Sequence, residues 1–222
     1  MKAILTLLVL IASLQFSPAQ YAWDVGGNAG FANYLGEIGG GAGQSRGWIL
    51  DLELEKFKKS FDKKLEQFFI NLIECQNDPC LINYLHEVKE YVLNGGKRLR
   101  PYILWKMISE QCQNVSAYDN VLIAFELLHN STLIEDDIID KHTVRRNRKT
   151  LPVVFNKNSI NGEHLSLLVA NLLKDKALTL ILEAKISSQK RKDCLVAFNN
   201  ISMSVNEGQV QDLAFSKNLS VN

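Results

Sequence analysis

Residues 133–140 read "LIEDDIID" and set four acids, Glu135, Asp136, Asp137 and Asp140, into a run otherwise made of leucine and isoleucine. Unpaired charge is costly to bury, so this stretch is intelligible only through what neutralises it. On a helix, residues four apart share a face. That projects Asp136 and Asp140 together, with Asp137 at the edge of the same stripe and His129 two turns back. Adjacent carboxylates repel unless a cation sits between them, and all-oxygen ligands favour a hard ion such as Mg2+. Magnesium completes its shell with waters and phosphate oxygens, so the spacing points to a phosphorylated ligand. The plainer alternative is a solvated helix end whose acids face water.

Basic residues flank the acids on both sides. Arg145 and Arg146, then Arg148 and Lys149, follow in a polar stretch. Upstream, "GGKRLRP" (95–101) sets Lys97 and Arg100 one helical turn apart, after two glycines that let backbone approach a ligand closely. Arginine forks and a lysine point charge suit diphosphate oxygens. Each cluster alone reads as solvated surface; together they describe a site with metal on one wall and cations on the other.

"GGKRLRP", "AFELLHNSTLIEDDIID", the arginine pair and "NEGQVQDLAF" occur in the order and spacing of the trans-isoprenyl diphosphate synthases, and residues 55–222 resemble this polyprenyl synthetase family. The resemblance implies an all-α bundle around a central cavity, a homodimer, and a magnesium-dependent prenyltransferase. In that reaction an allylic diphosphate ionises and its cation is attacked by the double bond of isopentenyl diphosphate. Carried over by motif, Asp136, Asp137 and Asp140 are the first aspartate-rich motif and the metal ligands, with Asp136 and Asp140 the direct ones. Lys97, Arg100, His129 and Arg146 resemble the isopentenyl diphosphate site, and Arg145 the allylic diphosphate contact. The positions one turn before the aspartates, which limit product length in this family, are the small residues Ser131 and Thr132; they imply a product of C20 or longer.

The match has gaps. A second aspartate-rich motif and the Lys-Thr pair that precedes it in the family are absent, and Asp175 and Asp193 are isolated acids. The chain stops at Asn222, soon after "GQVQD", where the first half to two-thirds of a family member ends. A truncated bundle is therefore expected, with the α-helical leucines 167, 168, 172 and 173 lacking neighbours and negligible turnover by this chain alone. A non-catalytic diphosphate-binding or synthase-partner subunit is the alternative. Asn147 stands where the family has Gly after its arginine pair, and Asn171 where it has Asp.

The rest of the chain frames these motifs. With 222 residues, 46% hydrophobic, and a formal net charge of +1, it has the composition of an ordinary globular domain and no global attraction to nucleic acid. Cys75, Cys80, Cys112 and Cys194 lack metal-ligand spacing and read as free buried thiols; a Cys75–Cys80 disulfide would require secretion. Helices are expected near 55–74, 79–93, 99–112, 117–140, 162–184 and 190–213, broken at Gly95-Gly96 and over the polar stretch 141–162.

Residues 1–20 have the build of a secretory signal: Lys2, an apolar run from Ala3 to Leu14, and small residues at Ser17 and Ala19. An apolar helix of the mature protein is the alternative. Residues 21–54 form a Gly-rich extension, expected to be irregular or short-stranded, because "YAWDV" and "WILDLELE" alternate and nine of the 13 glycines precede residue 48. "WDVGGNAGFANYLGEIGG" resembles the start of a bacterial outer-membrane β-barrel protein, which implies that the chain joins unrelated parts. Four N-glycosylation sequons begin at Asn114, Asn130, Asn200 and Asn218, but Asn130 lies within the helix of the acidic motif. Because the implied substrates are cytoplasmic, the cytoplasm is the expected location despite the signal-like start.

Overall fold

The computed structural model describes residues 43–156 and 161–219, with side chains described for 52–156 and 161–215. The signal-like segment and the stretch resembling an outer-membrane protein lie outside the described residues. Seven helices are described: α1 (Gly43–Glu74), α2 (Pro79–Leu93), α3 (Leu99–Ser109), α4 (Asp119–Ile139), α5 (Leu151–Phe155), α6 (Gly162–Leu182) and α7 (Ser188–Leu219). A 3-10 turn, Val115–Tyr118, precedes α4, and a hairpin of β1 (Val144–Arg145) and β2 (Arg148–Lys149) follows it. The fold is all-α. Among the described residues, no helix is long and apolar enough to cross a membrane.

The described residues divide into two compact units, one within 58–195 and the other made of 43–57 with 196–219. In the second of these, Val210, Leu213 and Phe215 of α7 are exposed. The first unit carries every motif residue from Lys97 to Arg146. Its centre is α4, where every residue from Val121 to Leu128 is buried. A helix apolar nearly all round belongs in an interior, and α4 packs most extensively along α6. Phe61, Leu65, Phe69 and Leu72 of α1 recur at helical spacing and are all buried.

Side-chain caps open two of the described helices. The Asp78 carboxylate accepts from Cys80 N at 2.8 Å before Pro79 opens α2. Asn161 does the same for α6, accepting from Glu163 N and His164 N at 3.0 and 3.2 Å. Gly162 has no room for a side chain: a Cβ there would lie 2.0 Å from the Pro152 carbonyl oxygen, so α5 and the start of α6 meet only because that residue is glycine.

Four expectations need correcting, the last of them in part. Residues 48–54 are helical, continuous with α1, rather than strand-like; alternation over so few residues does not distinguish a strand from one face of a helix. The polar stretch after α4 holds a hairpin and α5 instead of a plain loop, because Pro152 at the start of α5 suits a first helical turn. Cys75 and Cys80 are exposed rather than buried, and all four cysteines are free thiols. Of the α6 leucines expected to lack neighbours, Leu167 and Leu168 are 47% and 65% exposed, whereas Leu173 is fully buried.

The hairpin register pairs Val144 with Lys149 and Arg145 with Arg148, leaving Arg146 and Asn147 as a two-residue loop with φ of 51° and 62°. Both central residues of such a turn must be left-handed, and asparagine tolerates this better than most. Asn147 therefore meets the backbone demand that glycine meets in the family pattern. Asn147→Gly is expected to raise stability by about 0.5 kcal/mol; a lower urea midpoint for the variant would contradict the left-handed assignment.

Candidate functional site

The acidic run ends α4, and most of its charge is neutralised by the protein itself. Glu135 receives Lys174 Nζ of α6 at 2.6 Å. Asp137, only 1% exposed, accepts from Tyr91 Oη at 2.8 Å and from Arg145 Nε at 2.6 Å. Arg145 also donates through Nη2 to Asp136 Oδ2 at 2.5 Å. One arginine from the hairpin thus bridges two adjacent carboxylates, and burial of Asp137 is tolerable because both its oxygens are paired. Burial is the largest single influence and would lower the Arg145 pKa, but the charge and hydrogen bond of Asp137 together with Tyr91 and Asp136 outweigh it, and the guanidinium is held charged more firmly than usual.

Asp140, at the helix end, is exposed and has a different environment. Partial burial of its carboxyl and the neighbouring Asp136 charge raise its pKa, as expected for two acids that crowd one another. Asp136, Asp140 and His142 each offer one ligand atom, and the three atoms lie within 4.8 Å of one another. Asp137 adjoins this group, with Oδ1 3.6 Å from His142 Nδ1, but its oxygens are hydrogen-bonded to Tyr91 and Arg145.

The cationic wall is built from three segments. Gly95, with φ of 68°, turns the chain out of α2. Arg98 follows in the left-handed region at φ 54° and turns inward, 2% exposed, to donate to Asp62 Oδ1 at 2.7 Å, Glu126 Oε1 at 2.5 Å and Val92 O at 2.8 Å. This anchor sets the first turn of α3, which carries Arg100, while Lys97 stays exposed on the loop. Arg146 is drawn to the same loop: its Nη1 donates to Asn94 O at 3.1 Å, and Asn94 Nδ2 donates to Arg146 O at 3.4 Å. Arg100 Nη1 lies 3.1 Å from His129 Nε2. Arg100, His129 and Arg146 therefore come together, as the spacing of the motifs suggests.

These cations are only partly compensated. Burial lowers the pKa of Arg100 and of Arg146, with the Glu126 charge acting in the other direction. His129 is pushed well below its usual value, first by burial and then by the charges of Arg100, Arg146, Arg145 and Arg98. The ring is neutral near pH 7; since arginine only donates, Nε2 is the acceptor and Nδ1 carries the proton. Arg100 Nε is buried without a hydrogen-bond partner. Such an arrangement attracts an anion able to accept from several donors at once.

A pH dependence follows from His129. Its folded pKa is depressed below the ordinary 6.5, so the unfolded chain binds the extra proton first as pH falls. The associated stability is fully present above about pH 6.5 and is lost below it, by at most about 1.4 kcal/mol per pH unit. Urea unfolding at pH 7.5 and 5.5 should show the loss for the wild type and a smaller loss for His129→Gln; equal losses would remove His129 as the cause.

Tyr91, His142, and the Asp62–Arg98–Glu126 cluster take part in the site or its support without being singled out by the sequence motifs. Tyr91 and Asp62 lie 46 and 36 residues from their partners Asp137 and Arg98, so no local spacing marks them. His142 sits two residues beyond Asp140 and could have been found by asking which ligand types follow the acids. Asn130 is fully buried, its Nδ2 donating to Glu126 O at 2.8 Å, which puts that sequon out of reach in the folded protein.

Known proteins resemble this chain in sequence and in fold. A short chain isoprenyl diphosphate synthase of Methanocaldococcus jannaschii is 32% identical over 127 residues, covering 57% of this chain and 37% of that protein. A geranylfarnesyl diphosphate synthase of Methanosarcina mazei is 34% identical over 145 residues, 65% of this chain and 43% of that protein. The chain thus spans about two-fifths of the length of these curated relatives. The crystal structure of geranylgeranyl pyrophosphate synthetase from Pyrococcus horikoshii superposes with a TM-score of 0.64 at 27% identity, over 74% of this chain and 48% of that one. The family description "Polyprenyl synthetase" matches residues 82–222. That match takes in α3, α4, the hairpin and α6, the elements that hold the acids and the arginines, and the chain belongs to the polyprenyl synthetase family.

Proposed function

We propose that these residues form the diphosphate-binding part of a magnesium-dependent trans-prenyltransferase, which joins isopentenyl diphosphate to an allylic diphosphate. The observation that carries the reading is the cluster of Arg100, neutral His129 and Arg146, with a buried Arg100 Nε that lacks a partner. A diphosphate supplies several acceptor oxygens and the negative charge this cluster attracts. Lys97, Arg100, Arg146 and the Nδ1–H of His129 bind isopentenyl diphosphate in this reading. Arg145, on the same hairpin as Arg146, reaches the allylic diphosphate.

Asp136 and Asp140 fit a divalent cation: a ligand oxygen of each lies within 4.8 Å of the other, and the Asp140 pKa, raised first by partial burial and then by the Asp136 charge, includes a repulsion that a cation would relieve. Bound there, Mg2+ would supply charge to stabilise a departing diphosphate. Asp137 serves the same wall from behind by orienting Arg145. Apolar side chains of α4 exclude water from a reactive carbocation. Ser131 and Thr132 are small, and each turns its hydroxyl back to its own helix, to Leu128 O at 2.7 Å and His129 O at 2.8 Å. A product of C20 or longer fits this lack of bulk, and the geranylfarnesyl synthase among the relatives accords with it.

With a single aspartate-rich motif in the sequence, the 222-residue chain is expected to bind diphosphates with negligible turnover. Isothermal titration of the full chain should show isopentenyl diphosphate binding that Arg100→Ala weakens by about tenfold, in line with one charge-assisted hydrogen-bonding group. Absence of binding to isopentenyl diphosphate and inorganic pyrophosphate, with and without Mg2+, would overturn the reading. Rapid prenyl transfer by the chain would establish the reaction and overturn only the expectation of low turnover.

A further inference from the structure

His142 is brought to the acidic group by a specific reversal of the chain. After α4 ends, Lys141 adopts φ 55°, a left-handed conformation unfavourable for a side chain with a Cβ. Lys141 N donates to Ile138 O at 3.3 Å and His142 N to Asp137 O at 3.0 Å. This is the paired pattern that caps a helix C-terminus, formed here without the usual glycine. Thr150 Oγ1 then donates to His142 O at 2.7 Å, with Thr150 fully buried. The backbone of His142 is thereby pinned from both sides and its ring turned back over the helix end.

The ring itself is weakly engaged by protein. His142 Nδ1 lies 3.5 Å from Arg145 Nη2 and 3.6 Å from Asp137 Oδ1, both at or beyond the limit of a useful hydrogen bond. One of its nitrogens is instead within 4.8 Å of ligand oxygens on both Asp136 and Asp140. We propose that His142 is a third protein ligand of the divalent cation held by Asp136 and Asp140, and that it shifts this centre from magnesium toward a first-row transition ion such as Mn2+. The proposal rests on reading Asp136 and Asp140 as metal ligands and adds a nitrogen donor and an ion preference.

The chemistry of the donor set favours that ion. Magnesium demands oxygen ligands and octahedral regularity, whereas Mn2+ shares its liking for carboxylates and stands at the start of the first-row series along which affinity for a mixed nitrogen and oxygen site rises. Arg145, whose Nη2 holds Asp136 Oδ2, must yield that oxygen or share the carboxylate. Its Nε contact with Asp137 keeps the guanidinium nearby, and a neighbouring positive charge disfavours an ion bound by electrostatics alone. A more covalent nitrogen donor offsets part of that repulsion.

Pulsed EPR of the full chain loaded with Mn2+ tests this directly, because a coordinated imidazole gives a nitrogen hyperfine coupling that carboxylates do not. The coupling should be present in the wild type and lost in His142→Ala and His142→Gln, two variants whose folding is checked by circular dichroism. Mn2+ affinity should fall by about tenfold or more in both, while Mg2+ affinity changes by less than about twofold. The exposed His86 and His164 are retained in every variant and serve as internal controls for surface binding. Mn2+ and Mg2+ binding that His142 substitution leaves unchanged, or a wild type without nitrogen coupling, would overturn the proposal and leave the carboxylate metal site standing. A wild type that binds neither ion would overturn both.

Discussion

Arg98→Met is expected to destabilise the protein by about 3–5 kcal/mol, the largest effect of any single substitution around the site. The guanidinium is 2% exposed and donates to Asp62, Glu126 and the Val92 carbonyl, so every side of its fork is used. Burial by itself lowers the Arg98 pKa, yet the Glu126 and Asp62 carboxylates raise it overall. Methionine fills a similar volume but leaves Glu126, 3% exposed, as a buried charge without its cation. Arg98→Lys keeps the charge and loses the fork, and should cost less. The double variant Arg98→Met/Glu126→Gln should recover part of the loss, since it removes the stranded charge. Urea unfolding of the four proteins provides the comparison; a loss under about 1 kcal/mol for Arg98→Met would show that the cluster is not a structural anchor.

The same substitution should reach the binding site. Lys97 and Arg100 flank Arg98 in sequence, and its left-handed backbone sets the direction in which α3 begins. Loosening that turn leaves Arg100 free to leave His129. Weaker isopentenyl diphosphate binding should therefore accompany the stability loss, without any change to a residue assigned to contact the ligand.

Asp136→Ala is expected to act in opposite directions with and without magnesium. With Mg2+ present, loss of one of the proposed ligands should weaken inorganic pyrophosphate binding by tenfold or more, because a cation held mainly by Asp140 binds poorly. Without the metal, removal of Asp136 frees Arg145 Nη2 from its 2.5 Å contact and reduces the negative charge facing the ligand. Metal-free pyrophosphate binding should then strengthen by a few-fold. Titrations with Mg2+ and with a chelator separate the two effects. Weakening under both conditions would mean that Asp136 supports the fold of the hairpin rather than a cation. Asp137→Asn provides a contrast: Asp137 holds Arg145 and Tyr91, so its replacement should impair binding with or without metal.

Most helices were legible because their signals are local. Pro79–Leu93, with an aspartate cap and proline at its first position, lies where the sequence places it, and α4 and α6 begin and end within two residues of expectation. Residues 48–54 were misread because a short alternation of apolar and polar residues satisfies either period. The β1–β2 turn was missed because neither Arg146 nor Asn147 carries the glycine signal that usually marks a left-handed pair.

The sequence by itself determined the helical class, the grouping of Asp136 with Asp140, and the family, since each depends on residue types at short, fixed separations. What it left open was how the four acids are balanced. Metal and substrate were the neutralising partners implied by the motif, but the tertiary structure supplies Lys174 to Glu135 and Arg145 to Asp136 and Asp137. It also gives Tyr91 to Asp137, buries Arg98 between Asp62 and Glu126, and turns His142 toward Asp136 and Asp140. The physical reason is that helical periodicity assigns a residue to a face, while electrostatic balance depends on which faces meet. Those meetings are made by packing α1, α2, α6 and the hairpin around α4, between residues whose separation in the chain carries no periodic mark.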